Sequence, residues 1–356
     1  MRIAVVCGGT GGHVLPGLAT ARVLVERGHS VTLWLGGREV ESMSAGDWDG
    51  PVERVRAAGF DAGLSLRSAS SALRLVGACA ASHKRMRAAR PDVVLAMGSY
   101  ASVGPVVAAR LLRIPVVLHE ANAVPGRAVS LLSRFAAAIA VTFDSARRYL
   151  AGAPVVPTGL PLRDGLPSAD SLDGIAGNRF TILVMGGSQG ARALNERVPA
   201  ALAELRRRGA DFTVIHLAGV KDEAAVRRKY EEAEVDSRVY GFLGDIGRAY
   251  ASASLAICRA GAGTCAELAV CGVPALLVPL PAARRGHQLA NARELEAAGG
   301  ADVLPQKDLD EARLVHYMEE IMADPDRLKR MQDAMKSAAG RDAAPKLADL
   351  VERTAS

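Results

Sequence analysis

The sequence predicts an α/β protein of two similar domains, each a parallel sheet covered by helices on both faces. Short apolar runs alternate with helical stretches along the chain, which is the pattern of βα units. The motif G-G-[TS]-x-G occurs once in each half, at Gly8–Gly12 and Gly186–Gly190, each time between a predicted strand and a predicted helix. The length of 356 residues also favours two domains over one.

The predicted strands are apolar runs bounded by glycine, proline or polar residues. They are Ile3–Cys7, Val31–Leu35, Val93–Met97, Val116–His119 and Ile139–Phe143 in the first half, and Phe180–Met185, Phe212–Leu217, Leu255–Cys258, Ala275–Val278 and Ala301–Leu304 in the second. Helices are predicted at Leu15–Glu26, from Ala191 onward, and at Leu309–Met322, Arg327–Ala339 and Ala344–Arg353. Because ligands bind beyond the carboxyl ends of such strands, the loops Gly98–Pro105 and Glu120–Gly126 are expected beside the first glycine turn.

A segment rich in proline and glycine, Pro154–Asn178, separates the two halves and is interpreted as an interdomain hinge. The predicted domains are residues 1–160 and 161–339. The last helix, at about 340–356, is expected to pack back on the first domain. The carboxyl ends of the two sheets are expected to face a central cleft.

Composition excludes several classes of protein. Hydrophobic residues make up 49% of the chain and charged residues 23%, which is typical of a globular protein. The apolar runs are too short to span a membrane, and the N-terminus leads into a strand without a leader pattern, so export is not expected. The five cysteines form no C-x-x-C pair, which argues against zinc and favours reduced thiols in the cytosol.

Positive charge is concentrated in the first half. Residues 1–160 contain 18 basic and 10 acidic residues, a net charge of +8, so the remainder carries −2. Two stretches, 62–91 and 121–143, contain no acidic residue. This predicts an anionic partner such as a membrane surface or a phosphorylated substrate, although a basic face that is merely solvated is the alternative. The aromatic content of 4% argues against single-stranded nucleic acid.

The first glycine turn has the features of an anion site. Backbone N–H groups at a helix N-terminus lack helical partners, and the helix dipole favours negative charge there. A dinucleotide fingerprint begun at Gly9 would need glycine where Val14 stands, and the strand Val31–Leu35 ends in Gly36-Gly37 instead of an acidic residue that could hold a ribose. His13 stands at the mouth of this turn, where it is either a titratable group facing the ligand or only a helix cap.

A second candidate site follows the strand that ends at Cys258. The segment Arg259–Leu268 again opens a helix with glycines, and it carries Glu267. A carboxylate accepts two hydrogen bonds well, as a ribose diol requires, although a favourable charge near a helix N-terminus is the alternative role. Gln288 and Asn291 are three residues apart on one helix face, where amides suit a neutral polyol such as a sugar.

Taken together, these motifs resemble the MurG family of bacterial cell-wall glycosyltransferases, which add N-acetylglucosamine to the lipid-linked muramyl-pentapeptide precursor (lipid I to lipid II). The resemblance covers nearly the whole chain, and several motifs in the same order make it specific. It rests on Gly8–His13, Met97–Tyr100, His119–Gly126, Gly159–Arg163, Gly186–Arg192, Arg259–Glu267 and His287–Asn291.

The resemblance implies a GT-B fold, in which two Rossmann-like domains, each a doubly wound parallel sheet, face a central cleft. It also implies that the donor, UDP-N-acetylglucosamine, is held mainly by the second domain. Ser188 and its turn are expected at the diphosphate, Arg163 near the nucleotide, and the backbone of Phe242 and Leu243 at uracil. Glu267 is expected to hold the ribose. The expected sugar contacts are Ala262, Thr264, Gln288 and Asn291, and Thr10, Gly11, Gly12 and Asn122 are also expected to contact the donor.

The resemblance places the acceptor diphosphate on the first domain, and His13 is the candidate base for its hydroxyl. Attack opposite the leaving UDP inverts the anomeric carbon. No D-x-D cluster lies in the expected site loops, because Asp47-Trp48-Asp49 is in a different loop, so no metal cofactor is predicted. The expected acceptor contacts are Gly9, Thr10, Gly11, Gly12, Tyr100 and Asn122.

A lipid-linked acceptor would also explain the basic first domain. We expect the protein to bind peripherally to the anionic inner leaflet, at the cytoplasmic face of the cell membrane, without spanning it. Basic residues from Arg67 to Arg90 are interspersed with apolar ones, which either dock on the leaflet or belong to the core.

Four positions depart from the family pattern. Ser99 stands where a second glycine is usual, Ala121 replaces glutamine, Leu160 replaces asparagine, and Arg285-Gly286 replaces an acidic stretch. Three alternatives stay open: another GT-B UDP-sugar transferase acting on a lipid, such as diacylglycerol, a UDP-N-acetylglucosamine 2-epimerase of the same architecture, and a nucleotide-sugar binding module without activity. The epimerase would need more acid–base groups than His13, His119, Glu120 and Glu267 supply.

Overall fold

The computed structural model divides the chain into two compact units. The first unit is Met1–Asp164 with Gly340–Ser356, and the second unit is Gly165–Ala339. For residues 66–74 and 284 only the backbone is described. The described residues are 1–9, 11–37, 46, 48–55, 66–150, 152–163, 165–166, 170–173, 175, 179–187 and 190–355.

The first unit contains a parallel sheet of seven strands. These are β1 (Arg2–Val6), β2 (Ser30–Leu35), β3 (Val52–Arg54), β4 (Val93–Ala96), β5 (Val116–Glu120), β6 (Ala138–Val141) and β7 (Val155–Pro157). Their spatial order is β3-β2-β1-β4-β5-β6-β7, and every neighbouring pair is parallel. Strands β2 and β3 thus lie on one side of β1, and strands β4 to β7 lie on its other side. This order is the Rossmann arrangement.

Helices cover both faces of this sheet. They are α1 (Gly11–Glu26), α2 (Leu66–Ala89), α3 (Val103–Leu111) and α4 (Arg127–Leu132), with shorter 3₁₀ segments at Tyr100–Ser102, Ser133–Phe135 and Asp144–Tyr149. Alternate residues of β1 face opposite sides, as a strand requires. Ile3 and Val5 pack with α1, whereas Ala4 and Val6 pack with the layer formed by α2, α3 and α4.

The second unit repeats the arrangement with six parallel strands. These are β8 (Thr181–Met185), β9 (Thr213–Leu217), β10 (Ser237–Tyr240), β11 (Leu255–Cys258), β12 (Ala275–Leu277) and β13 (Ala301–Val303), in the order β10-β9-β8-β11-β12-β13. Its helices are α5 (Arg192–Arg207), α6 (Glu223–Glu232), α7 (Ile246–Ser252), α8 (Ala262–Cys271), α9 (His287–Ala297), α10 (Glu311–Ala323) and α11 (Pro325–Ala338), with 3₁₀ turns at Arg284–Gly286 and Gln306–Asp308. The two Rossmann-like sheets that the sequence predicted are therefore both present.

The last helix, α12 (Ala343–Ala355), belongs to the first unit. Leu347 and Val351 are fully buried in the core that α1 shares with the sheet. The guanidinium of Arg27 donates to Asp349 at 2.7 Å and to Glu352 at 2.9 Å, which ties the end of α1 to α12. Apolar burial and these ion pairs together hold the chain terminus on the first sheet.

All ten predicted strands form, with bounds that differ by at most two residues. Three further strands, β3, β7 and β10, were not predicted, because each is an edge strand of only three or four residues that are mostly exposed or half-buried. The hinge prediction is wrong for its first residues, since Val155–Pro157 pairs with β6.

In the part of the chain that the structure describes, no helix is both long and apolar enough to cross a membrane.

Each unit buries a histidine in its core. His119 on β5 is 1% exposed, and His216 on β9 is fully buried between Asn195 and Tyr230. Burial penalises the charged imidazolium, so it lowers the pKa of His119 to about 4 and that of His216 to about 3, from 6.5.

These histidines predict an acid-sensitive fold. Between pH 6.5 and about 4 the unfolded chain binds protons that the folded chain does not, so stability falls as the pH falls through that window. Each histidine contributes a slope of about 1.4 kcal/mol per pH unit. We expect His216→Gln to lower the pH dependence of the unfolding free energy between pH 7 and 5, measured by urea denaturation. An unaltered slope in the His216 variant would contradict the prediction.

Candidate active site

The predicted glycine turns lie at the point in each sheet where the strand order reverses. In the first unit this point lies between β1 and β4, and in the second unit between β8 and β11. In open α/β sheets, ligands bind beyond the carboxyl ends of the strands at this switch point. The turns after β1 and β8 are therefore where a ligand of each sheet is expected.

The first turn requires glycine for a steric reason. A Cβ atom built on Gly8 would lie 2.6 Å from the backbone nitrogen of Gly36, which no side chain tolerates. Helix α1 then begins at Gly11, with Gly11 half-buried and Gly12 exposed. Thr10 lies outside the described residues. Removing side chains here lets backbone N–H groups approach a ligand closely.

Ser99 joins the loop after β4 to this turn. Its hydroxyl donates to the carbonyl of Gly8 and accepts from the backbone N–H of Ala101 at 3.2 Å. Its φ of +65° lies in the region that favours glycine, which is the residue that the family resemblance led us to expect at this position. The two hydrogen bonds offset the strain of a non-glycine residue. Tyr100, half-buried, begins the 3₁₀ segment that follows.

His13 lies in the first turn of α1 and is half-buried. Burial lowers its pKa to about 4, so the imidazole is neutral at physiological pH and carries a lone pair. A Cβ built on Gly98 would lie 3.5 Å from Cδ2 of His13 and 3.6 Å from the carbonyl oxygen of His119. The loop after β4 therefore packs closely against His13.

The neighbouring His119 has an assignable tautomer. Its Nε2 lies 3.1 Å from the carbonyl oxygen of Gly159, which only accepts, so Nε2 carries the proton. Its Nδ1 is buried without a hydrogen-bond partner among the residues that the structure describes. Its lowered pKa is due first to burial, and the charge interaction with His13 lowers it further. Both imidazoles are thus held neutral in one region of the first unit.

Glu120 organises the loop that carries Asn122. Its Oε1 accepts from the backbone N–H of Asn122 at 2.9 Å and from the side-chain amide at 3.0 Å, and its Oε2 accepts from the N–H of Gly126 at 2.9 Å. Burial raises the pKa of Glu120, and these hydrogen bonds counteract part of that shift. Glu120, which the sequence analysis named among the possible acid–base groups, therefore stabilises the conformation of its own loop. Half-buried Arg163 lies near the end of the first unit.

In the second unit, the helices α5 to α9 all begin without a side-chain cap. Three of them, α5, α8 and α9, follow β8, β11 and β12 at the carboxyl edge of the sheet. By contrast, α10 and α11 are capped by Asp310 and Asp324, which accept from backbone N–H groups. Helix N–H groups that no side chain caps are the donors that an anion requires.

The second glycine turn is as tightly packed as the first. A Cβ built on Gly190 would lie 2.1 Å from the carbonyl oxygen of Ala218. Ser188 lies outside the described residues. The loop after β10 carries Phe242, which is 74% exposed, and half-buried Leu243.

Helix α8 presents three of the predicted residues, Ala262, Thr264 and Glu267, and all three are half-buried. The hydroxyl of Tyr250 on α7 donates to Oε2 of Glu267 at 2.8 Å. Arg259, 8% exposed, donates to the carbonyl of Val278 at 3.0 Å and thereby ties the start of this loop to the end of β12. Sequence reasoning missed Tyr250, because nothing local relates it to a residue 17 positions further along the chain.

The two amides on α9 have different environments. Oε1 of Gln288 accepts from the backbone N–H of Leu280 at 2.9 Å. Asn291 is fully buried, and its amide donates to the carbonyl of Ala260 at 3.1 Å. Both side chains therefore connect α9 to loops at the carboxyl edge of the second sheet. Among the described residues, no group of three or more His, Cys, Asp or Glu could hold a metal ion.

The layer of α2, α3 and α4 exposes apolar side chains among basic ones. Val76 is 64% exposed, Leu111 68% and Leu131 49%. Met86, which the sequence left open, is a core residue and fully buried. We name the exposed set the basic–apolar surface; it consists of Val76, Lys84, Arg85, Arg87, Arg110, Leu111, Arg113, Arg127, Leu131 and Arg134.

Comparison with known families supports one assignment for both units. Residues 3–141 match the glycosyltransferase family 28 N-terminal domain, and residues 181–347 match the glycosyltransferase family 28 C-terminal domain. The matches begin in β1 and β8, the strands that lead into the two glycine turns. The chain therefore contains both domains of this family in the order that the family has them.

Similar proteins align with this chain over nearly its whole length. A protein of Rhodospirillum rubrum is 40% identical over 100% of this chain and 92% of its own length, and one of Alkalilimnicola ehrlichii is 41% identical over 98% and 97%. Both are named UDP-N-acetylglucosamine–N-acetylmuramyl-(pentapeptide) pyrophosphoryl-undecaprenol N-acetylglucosamine transferase.

Solved structures also resemble this chain over nearly its whole length. MurG of Acinetobacter baumannii is 30% identical, with a TM-score of 0.82 over 99% of this chain and 100% of that one. A UDP-GlcNAc 2-epimerase of Neisseria meningitidis reaches a TM-score of 0.70 at 13% identity over 99% and 100%, which is a likeness of fold alone. The predicted GT-B fold and glycosyltransferase class are thereby confirmed, and the epimerase alternative is not favoured. The chain belongs to the MurG family of glycosyltransferases, within glycosyltransferase family 28.

Proposed function

We propose that this protein transfers N-acetylglucosamine from UDP-N-acetylglucosamine to the C4 hydroxyl of the lipid-linked muramyl-pentapeptide, converting lipid I to lipid II in peptidoglycan synthesis. The observation that carries the proposal is full-length similarity, at about 40% identity, to relatives named for this reaction. Further support comes from the two tightly packed glycine turns at the switch points, one per unit, because a glycine turn before a helix N-terminus is suited to bind a diphosphate.

The donor is assigned to the second unit. We infer that its diphosphate binds the turn after β8, at Ser188, and the uncapped N-terminus of α5, with Arg163 near the nucleotide. The backbone at Phe242 and Leu243 would receive uracil, and Glu267 would accept hydrogen bonds from the ribose hydroxyls.

The sugar is assigned to the side chains around α8 and α9. Ala262 and Thr264 would contact it from the first turn of α8. Because Oε1 of Gln288 already accepts from Leu280, its amide N–H groups are the part suited to donate to sugar hydroxyls. Asn291 would act from its buried position by holding the carbonyl of Ala260 in place.

The acceptor is assigned to the first unit. Its pyrophosphate would bind the turn Gly9–Gly12, with Tyr100 and Asn122 beside it. Glu120 would act indirectly, because its carboxylate holds Asn122 and the N-terminus of α4 in position. Thr10, Gly11, Gly12 and Asn122 would also contact the donor.

Proton removal is assigned to His13. A sugar hydroxyl has a very high pKa, so a base must take its proton as the oxygen attacks the anomeric carbon. Burial keeps the imidazole neutral and ready to accept a proton, but a pKa of about 4 makes it a weak base without ligand. A pyrophosphate at the same turn would raise this pKa, because a nearby anion stabilises the imidazolium. The acceptor would thus strengthen its own base.

The leaving UDP gains negative charge as the bond between its diphosphate and the anomeric carbon of the sugar breaks. The N-termini of α5 and α8, with Arg163, would stabilise that charge in a preorganised way. We infer that no divalent cation is required for this step.

Docking is assigned to the cytoplasmic face of the cell membrane. The basic–apolar surface combines exposed Val76, Leu111 and Leu131 with seven basic residues on one helical layer. Each basic residue near an anionic leaflet contributes about 1 kcal/mol, and exposed apolar side chains add burial in the interfacial region. Peripheral binding would bring the first unit to a membrane-anchored acceptor.

The decisive experiment is incubation of the protein with radiolabelled UDP-N-acetylglucosamine and a lipid I analogue, with and without EDTA. We expect label in the lipid phase and UDP as the second product, at the same rate in EDTA. Absence of label in the lipid phase would remove the proposed reaction, and loss of activity in EDTA would remove the metal-independent step.

We expect His13→Ala to lower the transfer rate by about 10²- to 10⁴-fold, the usual contribution of a general base. Donor affinity should remain within about twofold, because the assigned donor contacts lie mainly elsewhere. Initial rates with the lipid I analogue and calorimetric titration with UDP measure the two effects. His83→Ala on α2 is the control, and transfer within a few-fold of the parent in the His13 variant would show that another group is the base.

Glu267→Ala should weaken UDP binding by about tenfold or more, because hydrogen bonds to a carboxylate contribute about 1.5–3 kcal/mol. Calorimetric titration with UDP measures this, and Glu320→Ala on α10 controls for loss of a carboxylate in the same unit. Unchanged UDP affinity would eliminate the ribose assignment.

Replacing Val76 and Leu111 together by Glu should lower binding to vesicles that contain phosphatidylglycerol by about tenfold or more, since two apolar contacts become repulsive charges. Vesicle sedimentation measures this, with pure phosphatidylcholine vesicles as a reference. Val25→Glu is the matched control, because Val25 is 47% exposed on α1, on the opposite face of the same sheet. Equal binding by both variants would exclude this surface as the docking face.

A further inference from the structure

A buried tyrosine contacts the carboxylate assigned to the ribose. Tyr250 lies on α7 and is 2% exposed. Its hydroxyl donates to Oε2 of Glu267 at 2.8 Å. Helices α7 and α8 pack against each other, so the phenol ring is held by the core while its hydroxyl reaches the edge of the candidate donor site.

The direction of this hydrogen bond is unambiguous. Burial, together with the charge of Glu267, raises the pKa of Tyr250 well above 10. The hydroxyl therefore stays protonated at any physiological pH and acts as the donor. A buried hydroxyl needs a partner, and the carboxylate is the partner that the structure provides.

The consequence lies in the orientation of the carboxylate. The last torsion of a glutamate side chain is broad and roughly two-fold, so an unsupported carboxylate samples many orientations. A donor on a rigid, buried ring fixes one oxygen and with it the plane of the group. A pair of vicinal hydroxyl groups is recognised best by an acceptor whose two oxygens are already oriented, because no ordering then has to accompany binding.

We propose that Tyr250 is a positioning residue that orients Glu267 and thereby sets selectivity for a ribose over a deoxyribose nucleoside diphosphate. The inference rests on the proposed contact between Glu267 and the ribose. It adds a residue on a different helix that never touches the ligand. Tyr250 is thus distinct from the residues that would contact the nucleotide.

The test measures dissociation constants of UDP and 2′-deoxy-UDP by calorimetry for the parent protein, Tyr250→Phe, Glu267→Ala and the double variant. Tyr250→Phe removes only the hydroxyl. We expect UDP to bind about tenfold more weakly, while 2′-deoxy-UDP changes by less than about threefold, so that discrimination between the two ligands falls. In the Glu267→Ala background, Tyr250→Phe should have no further effect.

Tyr230→Phe is the matched control. Tyr230 is fully buried in the same unit, and its hydroxyl bonds to Nδ1 of His216 at 3.0 Å rather than to Glu267. This variant should keep the discrimination of the parent protein, even if its melting temperature falls as far as that of Tyr250→Phe.

Two outcomes separate the inference from the function on which it rests. If Tyr250→Phe weakens the binding of both ligands equally, or of neither, while Glu267→Ala weakens the binding of UDP, the positioning role is overturned and the ribose assignment stands. If Glu267→Ala leaves UDP affinity unchanged, the ribose assignment itself fails.

Discussion

The structure depends on close approach of backbone to backbone at the carboxyl ends of β1 and β8. A side chain at Gly8 or Gly190 would overlap neighbouring main-chain atoms, so these turns exist only with glycine there. The same absence of side chains lets a ligand approach the N-terminus of the helix that follows. One steric constraint therefore provides both tight strand-to-helix packing and a surface suited to phosphate.

Around these turns, buried polar groups hold the loops that carry the candidate contacts. Glu120 accepts three hydrogen bonds from its own loop, Ser99 joins two loops across the switch point, and Asn291 supports the carbonyl of Ala260. Each of these groups has hydrogen-bond partners within the protein. Their common function is to remove freedom from loops that would otherwise have to be ordered by the ligand, which lowers the cost of binding.

Two histidines of the first unit are held neutral by burial. Burial disfavours the imidazolium at His13 and His119, so both are unprotonated before an acceptor arrives. An anion at the adjacent turn would reverse that preference at His13. The chemistry that we assign to the first unit is therefore coupled to the presence of its substrate, without any change in the fold.

Local patterns were sufficient to predict the central strands and the two glycine turns. Buried parallel strands are continuous apolar runs, and a glycine turn between strand and helix is encoded within a few residues. Edge strands such as β3 and β10 were missed because a half-exposed strand of three or four residues has no such signal. Family resemblance supplied the assignment of site residues, which the residue pattern alone left open.

The sequence by itself determined the class of fold, the position of both glycine turns and the identity of His13 and Glu267 as candidates, because all of these are properties of short contiguous segments. The tertiary structure decided which side chains support them. Tyr250 meets Glu267, and the 8% exposed Arg259 meets β12, only because helices and strands distant in the chain are packed together. It also decided that Met86 is core while Val76 is exposed, since burial depends on which face of α2 meets the sheet. Such pairings are set by packing across the whole unit, and no local pattern contains them.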